Sequence, residues 1–238
     1  MSTYHKKVCH LTSVHPKIDT RIFYKECKTL VDAGYDVTLV VQNDKDEVID
    51  GVKILCIDTP KNRKERMLHT TRHVYKRALE CNADIYHFHD PELMPIGLKL
   101  KRKGKKVIYD VHEDVPRQIL SKQWIPAPLR KIISWVIERI EIYAAKRFDC
   151  IVTATDYIAG HFVKLNNNVI AVKNYPIIIE EMQLKTDLLN RGRQICYISS
   201  HLSLGRAIVP IIQSMEYVDA ELVIAGKLDS SVLEILQQ

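Results

Sequence analysis

The sequence predicts an α/β protein, with a doubly wound parallel sheet followed by a partial second βαβ unit. The first observation is that apolar runs rich in β-branched residues alternate with segments of helical period. The second is the length of 238 residues, which suits one large domain plus a fragment. The third is the composition, 46% hydrophobic and 27% charged, which is typical of globular chains and excludes disordered, collagenous and low-complexity classes.

Seven short apolar runs predict the strands of the first sheet, at 7–12, 36–41, 52–57, 85–89, 106–111, 150–154 and 169–172. Amphipathic segments predict helices at 21–33, 67–81, 93–103 and 126–147. Gly34 and Gly104 are suited to end the first and third helices, and Pro126 and Pro128 to start the fourth. The fourth helix carries one apolar stripe, formed by Leu129, Ile132, Ile133, Val136, Ile137, Ile140 and Tyr143. A parallel sheet of this kind binds its ligands at the carboxyl ends of its strands.

The chain divides into a Rossmann-like domain at 1–176, a linker at 177–193 and a new unit at 194–238. The linker has no clear period. The new unit predicts a strand at 194–198, a helix at 205–217, a strand at 220–225 and a short helix near Ser230. Because one βαβ unit cannot bury a core of its own, it either extends the first sheet or opens a second domain. The linker favours the second domain.

The positive charge is concentrated in one segment. The net charge is +6, yet residues 61–106 hold thirteen Lys/Arg against five Asp/Glu, a local excess of +8. Its densest part, 99–106, is either a solvated helix end or a patch that contacts anionic lipid or a polyanionic substrate. A net charge this mild does not indicate nucleic acid, and we expect no nucleic-acid partner.

Glycine and cysteine spacing exclude several classes of protein. The eight glycines form no G-x-G-x-x-G, P-loop or G-x-S-x-G pattern, so a standard NAD-binding protein, a P-loop NTPase and an α/β-hydrolase are disfavoured. The six cysteines form no C-x-x-C pair and no zinc-finger spacing. With no secretory segment and no long apolar span, the sequence predicts a protein of the reducing cytoplasm.

Polar residues collect in three loops, 13–21, 87–92 and 110–114, where strands of the predicted sheet end. Asp19 either caps the helix after it or belongs to the site, and Arg21 is placed to meet a phosphate or carboxylate. His87 is interpreted as a strand residue and His89 as functional, while His112 is the strongest candidate. We expect Asp19, Arg21, His89 and His112 to gather at the mouth of one groove.

Two chemistries fit this cluster, and spacing does not decide between them. His87, His89 and His112 with nearby carboxylates could bind zinc and activate water, as in a zinc-dependent hydrolase. A neutral imidazole could instead form a hydrogen bond to a sugar hydroxyl or a phosphate. Since an H-x-H pair on a strand is unspecific, the sequence favours a site without metal.

Four stretches carry a family resemblance: Ser13-Val-His-Pro-Lys-Ile-Asp-Thr-Arg-Ile22, Ile85-Tyr-His-Phe-His-Asp-Pro-Glu-Leu93, Lys106-Val-Ile-Tyr-Asp-Val-His-Glu-Asp114 and Val172-Lys-Asn-Tyr-Pro176. With them, the chain resembles family 4 of the retaining GT-B glycosyltransferases. It is most similar to bacterial members that build capsular, lipopolysaccharide or exopolysaccharide chains. Residues 195–226 resemble the first βαβ unit of the family's C-terminal domain.

The resemblance implies two Rossmann-like domains that transfer a sugar with retention and without a metal or other cofactor. The C-terminal domain would bind a nucleotide-diphosphate sugar through Ser199 and Arg206, and His112 would be the active-site histidine. The N-terminal domain would bind a glycan or lipid-linked acceptor. On the acceptor side we place Asp19, Arg21, His89, Asp90, Glu92 and Glu113. A lipid-linked acceptor at the inner membrane surface would suit the basic segment 61–106.

The sequence departs from the family pattern in the donor half. The family's E-x7-E motif would lie past Gln238, so we expect a fragment, a truncated reading frame or half of a split enzyme that transfers sugar poorly on its own. A non-catalytic acceptor-binding module is the alternative from another functional class.

Overall fold

The computed structural model describes residues 5–122, 124–177 and 192–236. Its contacts divide the chain into two compact units, 1–176 and 177–238. The first unit contains an eight-stranded sheet. Its strands are β1 (Lys7–Leu11), β2 (Asp36–Gln42), β3 (Glu47–Ile49), β4 (Val52–Ile57), β5 (Ile85–Phe88), β6 (Lys106–Val111), β7 (Cys150–Thr153) and β8 (Val169–Ala171).

The strand order is β3-β4-β2-β1-β5-β6-β7-β8, and every pair is parallel except β3 with β4. This confirms the predicted α/β class with a parallel sheet. The sequence analysis missed β3, a three-residue strand that turns into β4 through Asp50 and Gly51, both at positive φ. The chain leaves β1 toward β2 on one side and returns with β5 on the other. The switch in strand order therefore lies between β1 and β5.

The helices of the first unit pack against both faces of this sheet, and several include π or 3₁₀ turns. They are α1 (Thr20–Cys27, π-helical, continued by Lys28–Asp32), α2 (Arg63–Glu65, Arg66–Thr70 and Thr71–Cys81), α3 (Pro91–Leu93 and Met94–Arg102), α4 (Val115–Ser121), α5 (Ala127–Ala145) and α6 (Asp156–Phe162). Helices α4 and α6 were not predicted. Both are seven residues long, and their starts are capped by Asp114 and Thr155, which accept backbone N–H bonds.

Two apolar clusters form the core of the first unit. The larger includes Leu11, Phe88 and Tyr109, from the three central strands, and the smaller packs Phe23 of α1 against β2 and β4. The apolar stripe of helix α5 does not belong to either cluster. Instead α5 buries Ser134, Glu141, Ala144 and Ala145, and it exposes Leu129, Ile132, Ile133, Trp135, Val136, Ile140 and Tyr143.

Gly97 of α3 allows this helix to approach the aromatic core closely. A Cβ at this position would lie 2.8 Å from Phe88 and 2.9 Å from Phe148. We therefore expect Gly97→Ala to lower the free energy of unfolding by about 1–3 kcal/mol through overpacking. The matched control is Gly160→Ala in α6, where nothing lies within 4 Å; it should gain about 0.5–1 kcal/mol. Urea denaturation followed by circular dichroism compares the two, and equal effects would contradict the packing argument.

The second unit contains a parallel pair of strands, β9 (Gln194–Leu202) and β10 (Glu221–Leu228). Between them lies α7 (Leu204–Arg206, Ile208–Ser214 and Met215–Tyr217), and α8 (Ser230–Leu236) follows. Its core is small and includes Leu202, Ile208 and Val232. Gly226 has φ +149°, and a Cβ there would lie 1.9 Å from the Ser199 carbonyl oxygen, so only glycine fits. Most of the predicted linker, 178–191, lies outside the described residues.

Among the residues that the structure describes, no helix is both long enough and apolar enough to span a bilayer.

Candidate functional site

A cavity of about 420 Å³ lies at the carboxyl ends of β1, β5 and β6, next to the switch in strand order. Its lining combines imidazoles, carboxylates and cations, among them His15, Arg66, His89, Asp90, Glu92, His112, Glu113 and Lys122. Five predicted site residues therefore face one cavity: His89, Asp90, Glu92, His112 and Glu113. Its position follows from the fold, because parallel strands deliver the residues after their carboxyl ends to the same edge.

Asp110, at the end of β6, is the centre of a buried polar network beside this cavity. Its carboxylate accepts two hydrogen bonds from Arg21, from Nε at 2.9 Å and from Nη2 at 2.8 Å. His89 Nδ1 lies 3.1 Å from Oδ2, and His112 Nε2 lies 2.6 Å from the same oxygen. Asp110 thus brings together three of the predicted residues, which come from α1, β5 and β6.

The network keeps Asp110 ionised although it is fully buried. Burial alone would raise the pKa of Asp110, but the hydrogen bonds from His112, His89 and Arg21 hold it well below its usual value. Arg21 is itself buried and also donates to the Val172 carbonyl oxygen at 2.7 Å. It does not line the cavity, so the structure places it behind the site, against Asp110.

Asp90 organises the loop after β1 in a similar way. Its Oδ2 accepts hydrogen bonds from Thr12 Oγ1 at 2.8 Å and from the backbone and side chain of Ser13. Glu92 joins this loop through Ser13 Oγ at 3.1 Å and pairs with Arg66 at 2.9 Å. The loops after β1 and β5 are thereby fixed to each other at the rim of the cavity.

Asp19 lies at the start of α1 and not in the cavity lining. Its carboxylate accepts hydrogen bonds from the backbone N–H groups of Arg21 at 2.8 Å and Ile22 at 2.9 Å. It also faces His15 Nδ1 at 3.4 Å, and His15 does line the cavity. Of the two roles that the sequence left open, the geometry shows the helix cap.

The donor atoms of His87, His89 and His112 do not converge as one set. Within the described residues, convergent donor atoms form two groups: His89, Asp110 and His112, and separately His10, Glu26, His87 and His89. His89 belongs to both groups because its two ring nitrogens point to opposite partners, Asp110 and His10.

Residues 20–173, more than half of the chain, match the family described as Glycosyltransferase Family 4. The chain belongs to this family. Its class of chemistry is therefore sugar transfer. No curated protein sequence matches the chain significantly.

Solved structures show that this family 4 glycosyltransferase has the GT-B fold. The match to sucrose-phosphate synthase from Thermosynechococcus elongatus covers 98% of this chain and 73% of that protein's chain, with 12% identity and a TM-score of 0.63. The match to the catalytic domain of starch synthase IV from Arabidopsis thaliana covers 98% of this chain and 70% of the other, with 9% identity and a TM-score of 0.60. The match to a UDP-forming α,α-trehalose-phosphate synthase from Burkholderia vietnamiensis covers 98% of this chain and 67% of the other, with 12% identity and a TM-score of 0.61. At these identities the likeness shows the fold alone.

In the second unit of the glycosyltransferase, Ser199 lies within β9, against the backbone of Gly226. Arg206 ends the 3₁₀ turn of α7 and is exposed. The Tyr197 hydroxyl donates to the Arg206 carbonyl oxygen at 2.7 Å and fixes this turn. Their predicted role toward the donor diphosphate stays a prediction.

Sequence reasoning missed the residues that hold the site from behind. Asp110 stands two positions before His112, so strand periodicity places both on one face, and this signal was available. Thr12 and Arg66 had no comparable signal, because their contacts with Asp90 and Glu92 join segments far apart in sequence.

The cap at Asp19 makes stability depend on pH. Burial opposes ionisation, but hydrogen bonds from His15 and from the Ile22 and Arg21 amides hold the Asp19 pKa well below its usual value. The same contact raises the pKa of His15. Stability from Asp19 is lost as pH falls below about 4, and stability from charged His15 is lost as pH rises above about 6.5.

We therefore expect Asp19→Ala to cost about 1 kcal/mol of unfolding free energy, most of all between about pH 4 and 6.5. Asp19→Asn is the control, since asparagine caps a helix without carrying charge. It should lose the pH-dependent part and keep the cap. Urea unfolding at several pH values measures both variants, and a pH-independent cost of Asp19→Ala would contradict the assignment.

Proposed function

We propose that this chain carries the acceptor side and donor-binding residues of a retaining glycosyltransferase. The enzyme moves a sugar from a nucleotide-diphosphate sugar to a glycan or lipid-linked acceptor, on the cytoplasmic side, in bacterial surface polysaccharide synthesis. The observation that carries the proposal is the position of His112, which faces the cavity and is held from behind by ionised Asp110.

This arrangement determines what His112 can do. Because Asp110 is a carboxylate, His112 donates Nε2–H to it, so that Nδ1 is the ring nitrogen left for a substrate. Nδ1 then accepts a hydrogen bond from a sugar hydroxyl and orients the transferred sugar. Asp90, Glu92 and Glu113 supply carboxylate acceptors for further hydroxyl groups along the same cavity.

The second unit would bind the nucleotide-diphosphate sugar and stabilise the departing diphosphate. A departing nucleoside diphosphate needs a fixed positive charge, and the Arg206 guanidinium can provide it through paired hydrogen bonds. Ser199 would donate a hydrogen bond to the same diphosphate. Transfer on this scheme requires no metal.

We propose a lipid-linked acceptor because an apolar groove adjoins the catalytic cavity. The groove has a volume of about 310 Å³, and its lining includes Met67, Ile119, Trp124 and Ile133. Lys122 lines both the groove and the cavity, which places a cation where the two meet. A phosphate between a sugar and a lipid chain would fit this order of polar cavity, cation and apolar groove.

The same side of the first unit suits peripheral contact with an anionic membrane. Helix α5 exposes Ile132, Trp135 and Val136 beside Lys131 and Arg139. Of its two acids, Glu141 is buried, and Glu138, 32% exposed, pairs with Arg117. Exposed basic, aromatic and aliphatic side chains together are typical of helices that lie in the headgroup region. The basic segment 61–106 adds Arg66 and the exposed Met67 and Leu68.

Vesicle flotation tests the membrane contact. The chain should bind vesicles rich in anionic lipid, bind phosphatidylcholine vesicles weakly, and be released by salt. Ile132→Ser with Trp135→Ser should reduce binding at least about tenfold. Val48→Ser, at a 67% exposed position on β3, is the control and should bind normally. Equal binding by both variants would refute this surface.

A turnover screen tests the function itself. The chain is incubated with a panel of nucleotide-diphosphate sugars and with glycan and polyprenyl-phosphate-linked acceptors, and transfer is followed by mass spectrometry. Transfer with an unchanged anomeric configuration, read by NMR, supports the proposal. An inverted product refutes retention. Acceptor binding without transfer, even when a donor domain of the family is supplied in trans, favours a non-catalytic binding module.

A further inference from the structure

Three histidines and a glutamate converge between helix α1 and the sheet, behind the Asp110 network, with which they share His89. His10 of β1 stands directly opposite His87 of β5, and His89 follows two residues later on the same face. Glu26 reaches them from the π-helical part of α1. The side chains of His10 and His89 are fully buried, and Glu26 exposes only 12% of its side chain.

His10 Nδ1 and His89 Nε2 lie 3.0 Å apart, within hydrogen-bond distance, whereas Glu26 lies farther from all three imidazoles. Oε2 of Glu26 lies 3.8 Å from His10 Nδ1, 3.8 Å from His87 Nδ1 and 3.8 Å from His89 Nε2. These separations are too long for hydrogen bonds. Ligand atoms in a tetrahedral zinc site are roughly 3.4 Å apart, given bonds of about 2.0–2.1 Å. All four donor atoms lie within 4.8 Å of one another.

The cluster also contains polar atoms that lack partners. Both carboxylate oxygens of Glu26 are buried, and no described residue satisfies either with a hydrogen bond. Oε1 faces Arg21 at 3.1 Å as an ion pair, which leaves Oε2 directed toward the imidazoles. A buried carboxylate oxygen without a partner is costly, and a bound cation would remove that cost.

The hydrogen bonds of His89 suit a cation. His89 Nδ1 donates to Asp110, which directs the Nε2 lone pair into the cluster, as a carboxylate commonly does for a metal-binding histidine.

We propose that His10, Glu26, His87 and His89 bind one divalent transition-metal ion. Three imidazoles and one carboxylate in a four-ligand arrangement suit zinc, and a site with four protein ligands is structural. An entry route exists, since His10, Glu26 and His87 line a cavity of about 320 Å³ on the α1 side. The ion would join α1 to β1 and β5.

Metal analysis of the full chain, prepared without a histidine tag, tests the site. After exposure to zinc and dialysis, the protein should retain one zinc per chain by plasma mass spectrometry. Cobalt in its place should give the visible absorption of a tetrahedral site. Glu26→Gln and His87→Gln should each lower zinc affinity by about 100-fold or more.

His112→Ala and His15→Asn are matched controls that should keep the zinc. They also separate this site from the second group, His89, Asp110 and His112. Because a core variant can fail to fold, the wild type gives a second readout: zinc should raise its melting temperature, and a chelator should reverse the rise. Substoichiometric zinc, no thermal shift at saturating zinc, or unchanged affinity in a folded Glu26→Gln would each overturn the site. None of these readouts depends on sugar transfer.

Discussion

Replacing Asp110 by asparagine should lower the free energy of unfolding by about 3–5 kcal/mol, since it removes the buried carboxylate that accepts two hydrogen bonds from the Arg21 guanidinium. The side chain of Asp110 is fully buried, and that of Arg21 exposes only 6%. His89 and His112 lose the same partner. Sugar transfer should fall as well, because the His112 ring is no longer held with Nδ1 toward the cavity.

Urea denaturation and a transfer assay measure the two effects. Asp58→Asn is the control, since the Asp58 side chain is 95% exposed and lies outside the network; it should change neither quantity. Arg21→Met should cost about as much as Asp110→Asn, and a double variant, Arg21→Met with Asp110→Leu, should recover part of the loss. A loss below about 1 kcal/mol for Asp110→Asn would show that the network is not a buried ion pair.

Replacing His112 by alanine should lower kcat for sugar transfer by about 10²–10³-fold while the fold is retained. The His112 side chain is 18% exposed at the cavity and lies outside the apolar core, so its removal should cost no more than the roughly 1.5–3 kcal/mol of one hydrogen bond to a charged group. The test is steady-state kinetics with the best donor from the screen, together with thermal unfolding.

His73→Ala is the control for this variant. His73 lies on α2, pairs with Asp58 on the surface and does not line the cavity. Both variants should fold alike, and only His112→Ala should lose transfer. Normal transfer by His112→Ala would remove this residue from the active site.

The sheet could be predicted because its strands are short apolar runs between clear turn signals. All seven predicted strands of the first unit agree with the structure to within one residue at each end. The hairpin strand β3 has no apolar run of its own, and only its turn through Asp50 and Gly51 marks it. Helix α5 shows the limit of periodicity: its apolar stripe predicts an amphipathic helix but not that the stripe faces away from the core.

The position of the site could be predicted more readily than the contacts between its residues. His89, Asp90, Glu92, His112 and Glu113 follow strand ends, and the carboxyl-end rule brings them to one cavity. Arg21 was expected at the mouth, but helix α1 carries it inward to Asp110. Glu26 gave no signal, because a single carboxylate on a helix becomes informative only once the β1–β5 register places His10 beside His87.

Arg21 connects the Asp110 network to the chain that follows β8. Its Nη1 donates to the Val172 carbonyl oxygen just after β8, while its other nitrogens hold Asp110. One turn further along α1, Lys25 donates to the Tyr175 carbonyl oxygen. A displacement of the backbone at Val172 would therefore act on the same guanidinium that holds Asp110. Asp110 is in turn the hydrogen-bond partner of His112, so the two positions are coupled through Arg21.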